Sequence, residues 1–217
     1  KVAKAEGFTN YELLVDHGSS IGDGFVGIMI KVKIQEINSN KFLHVLAKVP
    51  PESKTTREFM KLMAFFEREV YIYNNFLPHI IDFQNEMKIK WTEGFFNFPK
   101  VFYADYDKEK DDAIIIMEDL RNFGYKMWDK SKPVNFEHSK VLMVTLGKLH
   151  ALSFAMKIKK PEIFEKFKEL NDYVSQNFKE GQHKDYFIES MKKAIDCLSP
   201  NDNESKQKFQ KLKLRQS

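Results

Sequence analysis

The hydrophobic pattern changes its period near the middle of this 217-residue chain, and that change limits the possible folds most strongly. In the first half, apolar residues mostly form short runs or alternate with polar residues, which is typical of β-strands. After residue 135 they recur every three or four positions, which is typical of amphipathic helices. A strand-rich half followed by a helical half predicts an α+β chain with two lobes.

The first half is expected to contain five strands and one helix. The strands are predicted over residues 11–15, 28–34, 42–49, 98–106 and 113–117. The helix is capped by Thr55 or Thr56 and runs to about Asn75. Its apolar stripe comprises Phe59, Leu62, Met63, Phe66, Val70 and Tyr73. These elements predict a complete N-terminal lobe over residues 1–119.

The second half, residues 120–217, is predicted to be helical. Asn135 suits the N-cap of a helix that runs to about Met156. The buried face of this helix is predicted to comprise Leu142, Thr145, Leu146, Leu149, Leu152 and Met156. Pro161 then fits the first turn of another helix, which Gly181 ends, and a third helix covers about residues 186–198.

Composition excludes some functional classes. The net charge of +4 is too small to predict a nucleic-acid partner, and the basic residues from Lys206 to Arg215 are interpreted as a solvated end. A single cysteine, Cys197, cannot form an internal disulfide, so a reducing, cytoplasmic location is expected. No run reaches about 18 consecutive apolar residues, so no contact with a membrane is predicted.

Glycine residues cluster between the first two predicted strands, from Gly18 to Gly27. Closely spaced glycines let backbone N–H groups approach phosphate oxygens. No Gly-Lys-Ser/Thr follows, so this is not a Walker loop. A flexible hairpin loop and a flap over nucleotide phosphates both remain open interpretations.

A lysine and an acidic helix add to this pattern. Lys48 lies in an otherwise apolar third strand, either as a solvent-facing side chain or as a contact to nucleotide phosphates. Glu67 and Glu69 both lie at the edges of the apolar stripe of the helix, and helical geometry alone does not choose between them as its partner. A buried strand then ends at Glu118 and Asp119, where the two halves join.

Five motifs in this order resemble the insect ecdysteroid-kinase-like, or CHK-kinase-like, family. That family has a protein-kinase-like fold and is similar to choline kinases and aminoglycoside phosphotransferases. The resemblance extends from about Asp16 to Phe164. Its motifs are residues 22–25 (Gly-Asp-Gly-Phe), 48–50 (Lys-Val-Pro), 66–71 (Phe-Glu-Arg-Glu-Val-Tyr), 117–120 (Met-Glu-Asp-Leu) and 149–153 (Leu-His-Ala-Leu-Ser).

The resemblance implies ATP as the nucleotide and a role for each motif. Lys48 would contact the phosphates, Glu69 would pair with Lys48, and His150 would pack between helices. The phosphate flap would comprise Gly22, Asp23, Gly24, Phe25 and Gly27, and the adenine contacts would be Met117, Glu118, Asp119 and Leu120. The family usually has Asn where Gly24 stands and Ser where Gly27 stands.

The resemblance also implies a reaction, transfer of a phosphoryl group from ATP with magnesium to the hydroxyl of a small molecule. An ecdysteroid or a similar lipophilic alcohol is the acceptor expected from the family. The family's His-Gly-Asp-x-Trp-x-x-Asn loop has no match here, and residues 183–190, which imitate part of it, are interpreted as the start of a surface helix. No catalytic residue and no metal ligand is therefore assigned.

The chain is accordingly expected to be a C-terminally truncated kinase-like protein whose helical lobe is incomplete and which is inactive alone. The alternative is a non-catalytic module that binds a nucleotide or a partner.

Overall fold

The computed structural model describes residues 1–18, 27–59, 61–129, 131–169, 172, 182–199 and 201–214. Residues Lys1–Glu169 form one compact unit, and residues Leu170–Ser217 form a second. The lobe boundary predicted between residues 119 and 120 stays a prediction.

A five-stranded antiparallel sheet organises the first unit. Its strands are β1 (Tyr11–His17), β2 (Ile28–Glu36), β3 (Phe42–Val49), β4 (Val101–Asp107) and β5 (Asp112–Glu118). Their spatial order is β1-β2-β3-β5-β4, so β3 is the central strand. Each strand overlaps the range predicted from sequence. The sheet and the helices after it confirm the α+β fold, which is consistent with the kinase-like architecture.

The N-terminal segment covers one face of the sheet and was not predicted to be helical. It begins with α1 (Val2–Ala5). Val2, Ala3 and Phe8 are buried together with Ile34 of β2. Lys41 holds this segment in place, because its Nζ donates to the carbonyl oxygens of Glu6 and Gly7 at 2.9 and 2.7 Å.

The helix predicted from residue 55 to residue 75 is longer and interrupted. It consists of α2 (Lys54–Phe59), α3 (Leu62–Tyr71), a π turn (Ile72–Phe76) and α4 (Leu77–Glu86). The predicted Thr cap is wrong, because the Ser53 hydroxyl accepts the Thr56 N–H at 3.2 Å. Lys61, with φ of 49°, separates α2 from α3.

The predicted end at Asn75 is also wrong, because the π turn continues the helix through the polar pair Asn74–Asn75. The Asn74 side chain donates to the Ala104 carbonyl of β4 at 3.0 Å. This hydrogen bond satisfies the Asn74 side chain inside the helix, although the sequence predicted that the helix ends at the next residue.

The apolar stripe of α3 packs on the second face of the sheet, as predicted. Leu62, Phe66 and Val70 are buried. Phe66 and Val70 contact Ala104, Ala113 and Ile115 of the sheet, and Met63 and Tyr73 pack at the edge of this cluster. The side chain of Phe59 lies outside the described residues. This packing fixes α3 against β4 and β5, next to the central strand.

Helix α5 (Phe136–Lys159) begins where predicted, because the Asn135 side chain accepts the His138 N–H at 2.9 Å. Its predicted buried face is only partly correct. Leu152 and Met156 are buried against Ile80 and Phe83 of α4. In contrast, Leu142 and Leu146 are 59% and 36% exposed. α4 packs against the C-terminal half of α5, so the contacts predicted for the first half are not made by the described residues.

By length and composition alone, α5 also passes for a membrane-crossing helix, with a mean hydropathy of 1.4 in its most apolar window. Core helices of soluble proteins pass the same test, and the C-terminal half of α5 is packed against α4. The finding is therefore weak support for a membrane contact.

The remaining helices match the sequence pattern unevenly. Pro161 opens α6 (Pro161–Lys166), as predicted, and a 3₁₀ turn (Phe167–Glu169) follows. The helix ends at Lys166, so the prediction that it continues to Gly181 is wrong. In the second unit, α7 spans Gln182–Asp196 and overlaps its predicted range. Helix α8 (Asn203–Leu214) was not predicted, although Asp202 caps it by accepting the Ser205 N–H at 3.0 Å.

Candidate functional site

The central strand carries an ion pair with α3. The Lys48 Nζ lies 2.5 Å from Glu69 Oε2, and the two side chains are 19% and 26% exposed. The same Nζ lies 5.4 Å from the centre of the Phe66 ring. Glu67 is exposed, so the geometry selects Glu69, which the helical pattern alone did not. Lys48 therefore lies on the face of the sheet that α3 covers, rather than facing solvent.

The register of the sheet explains this position. Lys48 of β3 lies directly opposite Met29 of β2 and Ile115 of β5, and residues directly opposite share one face. Ile115 belongs to the cluster around Phe66. The lysine stem is thus packed between apolar groups while its ammonium reaches the rim of the helix.

Tyr73 supports the glutamate from one helical turn further on. Its hydroxyl hydrogen-bonds Glu69, and burial, with the nearby Glu69 charge, raises the pKa of Tyr73 to about 12. The hydroxyl consequently stays protonated and keeps donating at neutral pH. Sequence reasoning placed Tyr73 only in the apolar stripe, although its spacing of four residues from Glu69 is the signal that shows the contact.

Gly27 brings the end of the glycine-rich segment, residues 18–27, against this pair. A Cβ atom at Gly27 would lie 3.0 Å from both Phe66 Cζ and the Val49 carbonyl oxygen, and 3.3 Å from Lys48 Cε. The Ser usual in the family would require those neighbours to shift. Gly22, Asp23, Gly24 and Phe25 lie outside the described residues, so their predicted contacts stay predictions.

The connector, residues Met117–Leu120, leaves β5 beside the same cluster. Met117 lies opposite Leu46 and packs near Phe66. The Glu118 N–H donates to the Lys100 carbonyl at 2.8 Å. Leu120 begins a 3₁₀ turn over Leu120–Phe123. Met117 thus lies two residues along β5 from Ile115, the residue opposite Lys48, and the adenine contacts predicted for residues 117–120 stay predictions.

Asp119 is the most buried carboxylate of the connector, with 1% exposure. It caps the 3₁₀ turn by accepting the Arg121 N–H at 3.1 Å, and it accepts Arg121 Nε and Nη2 at 2.7 and 2.8 Å. Its carbonyl accepts the N–H and the side-chain amide of Asn122 at 3.1 and 3.0 Å. These bonds already engage the carboxylate and the carbonyl, so the adenine contact predicted for Asp119 stays a prediction.

Arg121 determines the charge state of this group. Its hydrogen bonds hold the pKa of Asp119 below the usual range, and the same contact raises the pKa of Arg121. Sequence reasoning missed Arg121. The available signal was an Asp at the N-cap with an Arg two residues later, a spacing that brings a guanidinium back to the capping carboxylate.

Two further expectations concern helical residues. His150 is exposed rather than packed between helices. Residues 183–190 lie within α7, so their interpretation as part of a helix is confirmed. Among the described residues, no group of three or more His, Cys, Asp or Glu side chains is placed to hold a metal ion.

A central-strand lysine paired with a helix glutamate, next to a glycine-rich segment and a connector, is the arrangement of kinase-like nucleotide-binding lobes. The model of the ecdysteroid kinase-like family matches residues 21–216. The chain therefore belongs to the ecdysteroid kinase-like family, which suggests a kinase-like phosphotransferase. No curated protein and no solved structure matches the chain.

Proposed function

We propose that this chain binds ATP beside the Lys48–Glu69 pair and against the connector. The proposal depends on one observation, the Lys48–Glu69 pair beside Gly27. An ammonium on the central strand is a point charge that suits phosphate oxygens, and a glycine lets the backbone approach those oxygens closely. The protein to which this chain belongs would transfer the γ-phosphoryl group of ATP to a hydroxyl of a small, lipophilic molecule such as an ecdysteroid.

Partial exposure of the pair supports a ligand-binding role. Lys48 and Glu69 are joined by a single short contact and both remain partly open to solvent. The ammonium has three donors, so it can keep Glu69 and add a phosphate oxygen. The Tyr73 hydroxyl donates to Glu69, which helps to keep the carboxylate in place when a phosphate binds Lys48. The function of Glu69 is thus to orient Lys48.

Adenine would bind at the connector. Met117 would supply an apolar wall beside Leu46. Adenine would meet backbone groups of the connector other than the Glu118 N–H and the Asp119 carbonyl, which are already hydrogen-bonded. The Asp119 side chain would not take part, because Arg121 already engages both of its oxygens. Recognition by backbone groups is the mode expected of a kinase-like connector.

The chain alone would bind nucleotide without transferring phosphate. Phosphoryl transfer needs metal ligands and a carboxylate that positions the acceptor hydroxyl, and no such group is assigned among the described residues. When bound, magnesium would neutralise developing phosphate charge. The only candidate sequence for a catalytic loop, residues 183–190, belongs to α7.

Thermal unfolding with and without ATP tests the proposal. ATP is expected to raise the melting temperature, since a ligand that binds only the folded state stabilises it, and Lys48→Met should abolish that shift. Lys160→Met is a matched control, because Lys160 forms a 2.8 Å ion pair with Glu86 of α4 and does not belong to the proposed site. An ATP shift that survives in Lys48→Met would contradict the phosphate contact.

A turnover assay tests the proposal that this chain alone does not transfer phosphate. ATP and a panel of lipophilic alcohols should give no phosphorylated product with this chain. Product formation that Asp185→Ala abolishes would show that residues 183–190 are catalytic and would overturn their assignment to a surface helix.

A partner-binding role is the second candidate, and the exposed first half of α5 favours it. Val141, Leu142 and Met143 are all more than half exposed. Contiguous exposed apolar residues mark interaction sites more often than isolated ones do. Light scattering over a concentration series would show association, and Leu142→Glu should reduce it without changing the ATP shift. A monomer at all concentrations would remove self-association as the reason for the exposed face.

A further inference from the structure

Arg121 connects two parts of the chain that are distant in sequence. Its Nε and Nη2 donate to the two carboxylate oxygens of Asp119 at 2.7 and 2.8 Å. Its third nitrogen, Nη1, donates to the backbone carbonyl of Gly18 at 2.6 Å. One guanidinium thus joins the connector to the first residue of the glycine-rich segment.

Gly18 is held from its other side as well. Its N–H donates to the Met29 carbonyl at 2.9 Å. A Cβ atom at this position would lie 2.7 Å from the carbonyl carbon and oxygen of Met29, so only glycine fits against β2 here. Gly18 is consequently fixed between β2 and Arg121.

The Arg121 side chain is itself held rigidly. Asp119 is almost completely buried, and its Oδ1 also caps the 3₁₀ turn through the Arg121 N–H. A bidentate guanidinium–carboxylate pair fixes the plane of the guanidinium, which in turn fixes the direction of the remaining N–H groups. The Asp119 carboxylate of the connector therefore sets the direction of the N–H group that donates to Gly18.

We propose that Arg121 is a positioning residue that fixes the start of the glycine-rich segment to the connector. This inference rests on the proposed ATP site. It assigns Arg121 no contact with the nucleotide. Its effect on ATP binding passes through Gly18, because a fixed first residue lowers the entropic cost of holding the segment against phosphates.

The Arg121→Lys variant tests this role. Lysine keeps the charge but has one nitrogen on a flexible stem, so it cannot hold both Asp119 oxygens and Gly18 at once. Affinity for ATP should fall about tenfold, which corresponds to one hydrogen bond to a charged donor. Affinity for adenosine, which has no phosphates, should change less than twofold.

Arg57→Lys is the matched control. Like Arg121, Arg57 joins distant parts of the chain: it donates to the backbone carbonyls of Pro51 and Asp111 and pairs with the Asp111 carboxylate. It ties α2 to the β4–β5 turn and not to the glycine-rich segment. Its replacement should leave the ratio of ATP to adenosine affinity unchanged. An unchanged ratio in Arg121→Lys, or equal weakening of both ligands, would overturn the positioning role.

Amide exchange separates this inference from the proposed function. Exchange in residues 18–27 should be faster in Arg121→Lys than in the wild type and in Arg57→Lys, with or without nucleotide. If the wild type does not bind ATP, the proposed function fails, and the exchange rates still decide whether Arg121 anchors the segment. Equal exchange in all three proteins would overturn the anchor.

Discussion

Two ion pairs of the first unit, Lys48–Glu69 and Asp119–Arg121, are built differently. In the first, which we call the inner pair, Lys48 and Glu69 share one contact, and both side chains are partly exposed. At the connector, Asp119 is buried and accepts three N–H groups of Arg121, whose side chain is 47% exposed. The first pair keeps donors available for a ligand, whereas the second has committed its carboxylate.

The difference separates a binding group from a framework group. A partly exposed single ion pair contributes little to stability, because solvent screens it and its side chains lose entropy. A buried carboxylate with a full set of donors contributes more, since removing it leaves the N–H groups unpaired. Substitutions at the Asp119–Arg121 pair should therefore lower stability more, and substitutions at the Lys48–Glu69 pair should lower ATP affinity more.

The largest loss of stability is expected for Asp119→Ala. It removes a buried ion pair and the cap of the 3₁₀ turn, so the free energy of unfolding of the first unit should fall by about 3 kcal/mol. Urea unfolding measures the change. Asn135→Ala is the control, because it removes only the cap of α5 and should cost about 1 kcal/mol. Equal losses in both variants would show that the Arg121 contacts contribute nothing.

Low pH should remove part of the contribution that the Asp119 carboxylate makes to the free energy of unfolding. The folded-state pKa of Asp119 is depressed, so its contribution is present above its ordinary value of 3.8 and is lost as the pH falls through the lower folded-state value. Unfolding free energy measured from pH 5 downward should therefore decline less steeply in Asp119→Asn than in the wild type. Parallel curves would contradict a depressed pKa at this position.

A smaller loss is expected for Gly27→Ala. The added methyl group would meet Phe66 and the Val49 carbonyl at 3.0 Å, and overpacking of this kind costs about 1–2 kcal/mol. Gly147→Ala is the control, because nothing lies within 4 Å of the position and it is inside a helix, so stability should rise by about 0.5–1 kcal/mol. A gain at both positions would show that Gly27 has room for a side chain.

The smallest effect on stability is expected at the inner pair. Lys48→Met and Glu69→Gln should each change the unfolding free energy by less than about 1 kcal/mol. Both variants should nevertheless lose most of the stabilisation that ATP gives. A loss of about 3 kcal/mol in either variant would mean that the pair is part of the framework, and the contrast with the connector would disappear.

The sequence predicted the sheet well because strand signals are local. Alternating or continuous apolar runs bounded by turn residues identified all five strands, and β3 has the predicted bounds, Phe42–Val49. The position of Lys48 in that strand followed from the same local pattern. Glu69, in contrast, was expected as its partner only because of the resemblance to the ecdysteroid-kinase-like family, since helical geometry left Glu67 and Glu69 equivalent.

Contacts between elements could not be predicted in the same way. The apolar pattern of α5 is the same in both halves, but only Leu152 and Met156 meet α4, so Leu142 was wrongly expected to be buried. The bond between Arg121 and Gly18 joins residues that are 103 positions apart, and no local signal indicates it. Burial and long-range hydrogen bonds follow from tertiary structure that a periodic pattern does not contain.

The π turn at Ile72–Phe76 has a geometric consequence for the whole unit. A residue in a π turn rotates the chain less than an α-helical residue does, so this turn sets every residue that follows back by roughly 100° relative to an uninterrupted α-helix. Upstream, Phe66 points at the sheet, and downstream, Ile80 points at α5. The π turn therefore lets one continuous helix pack against the sheet before the turn and against α5 after it. Deleting one residue of the turn would expose the apolar side chains of one of these two clusters to water.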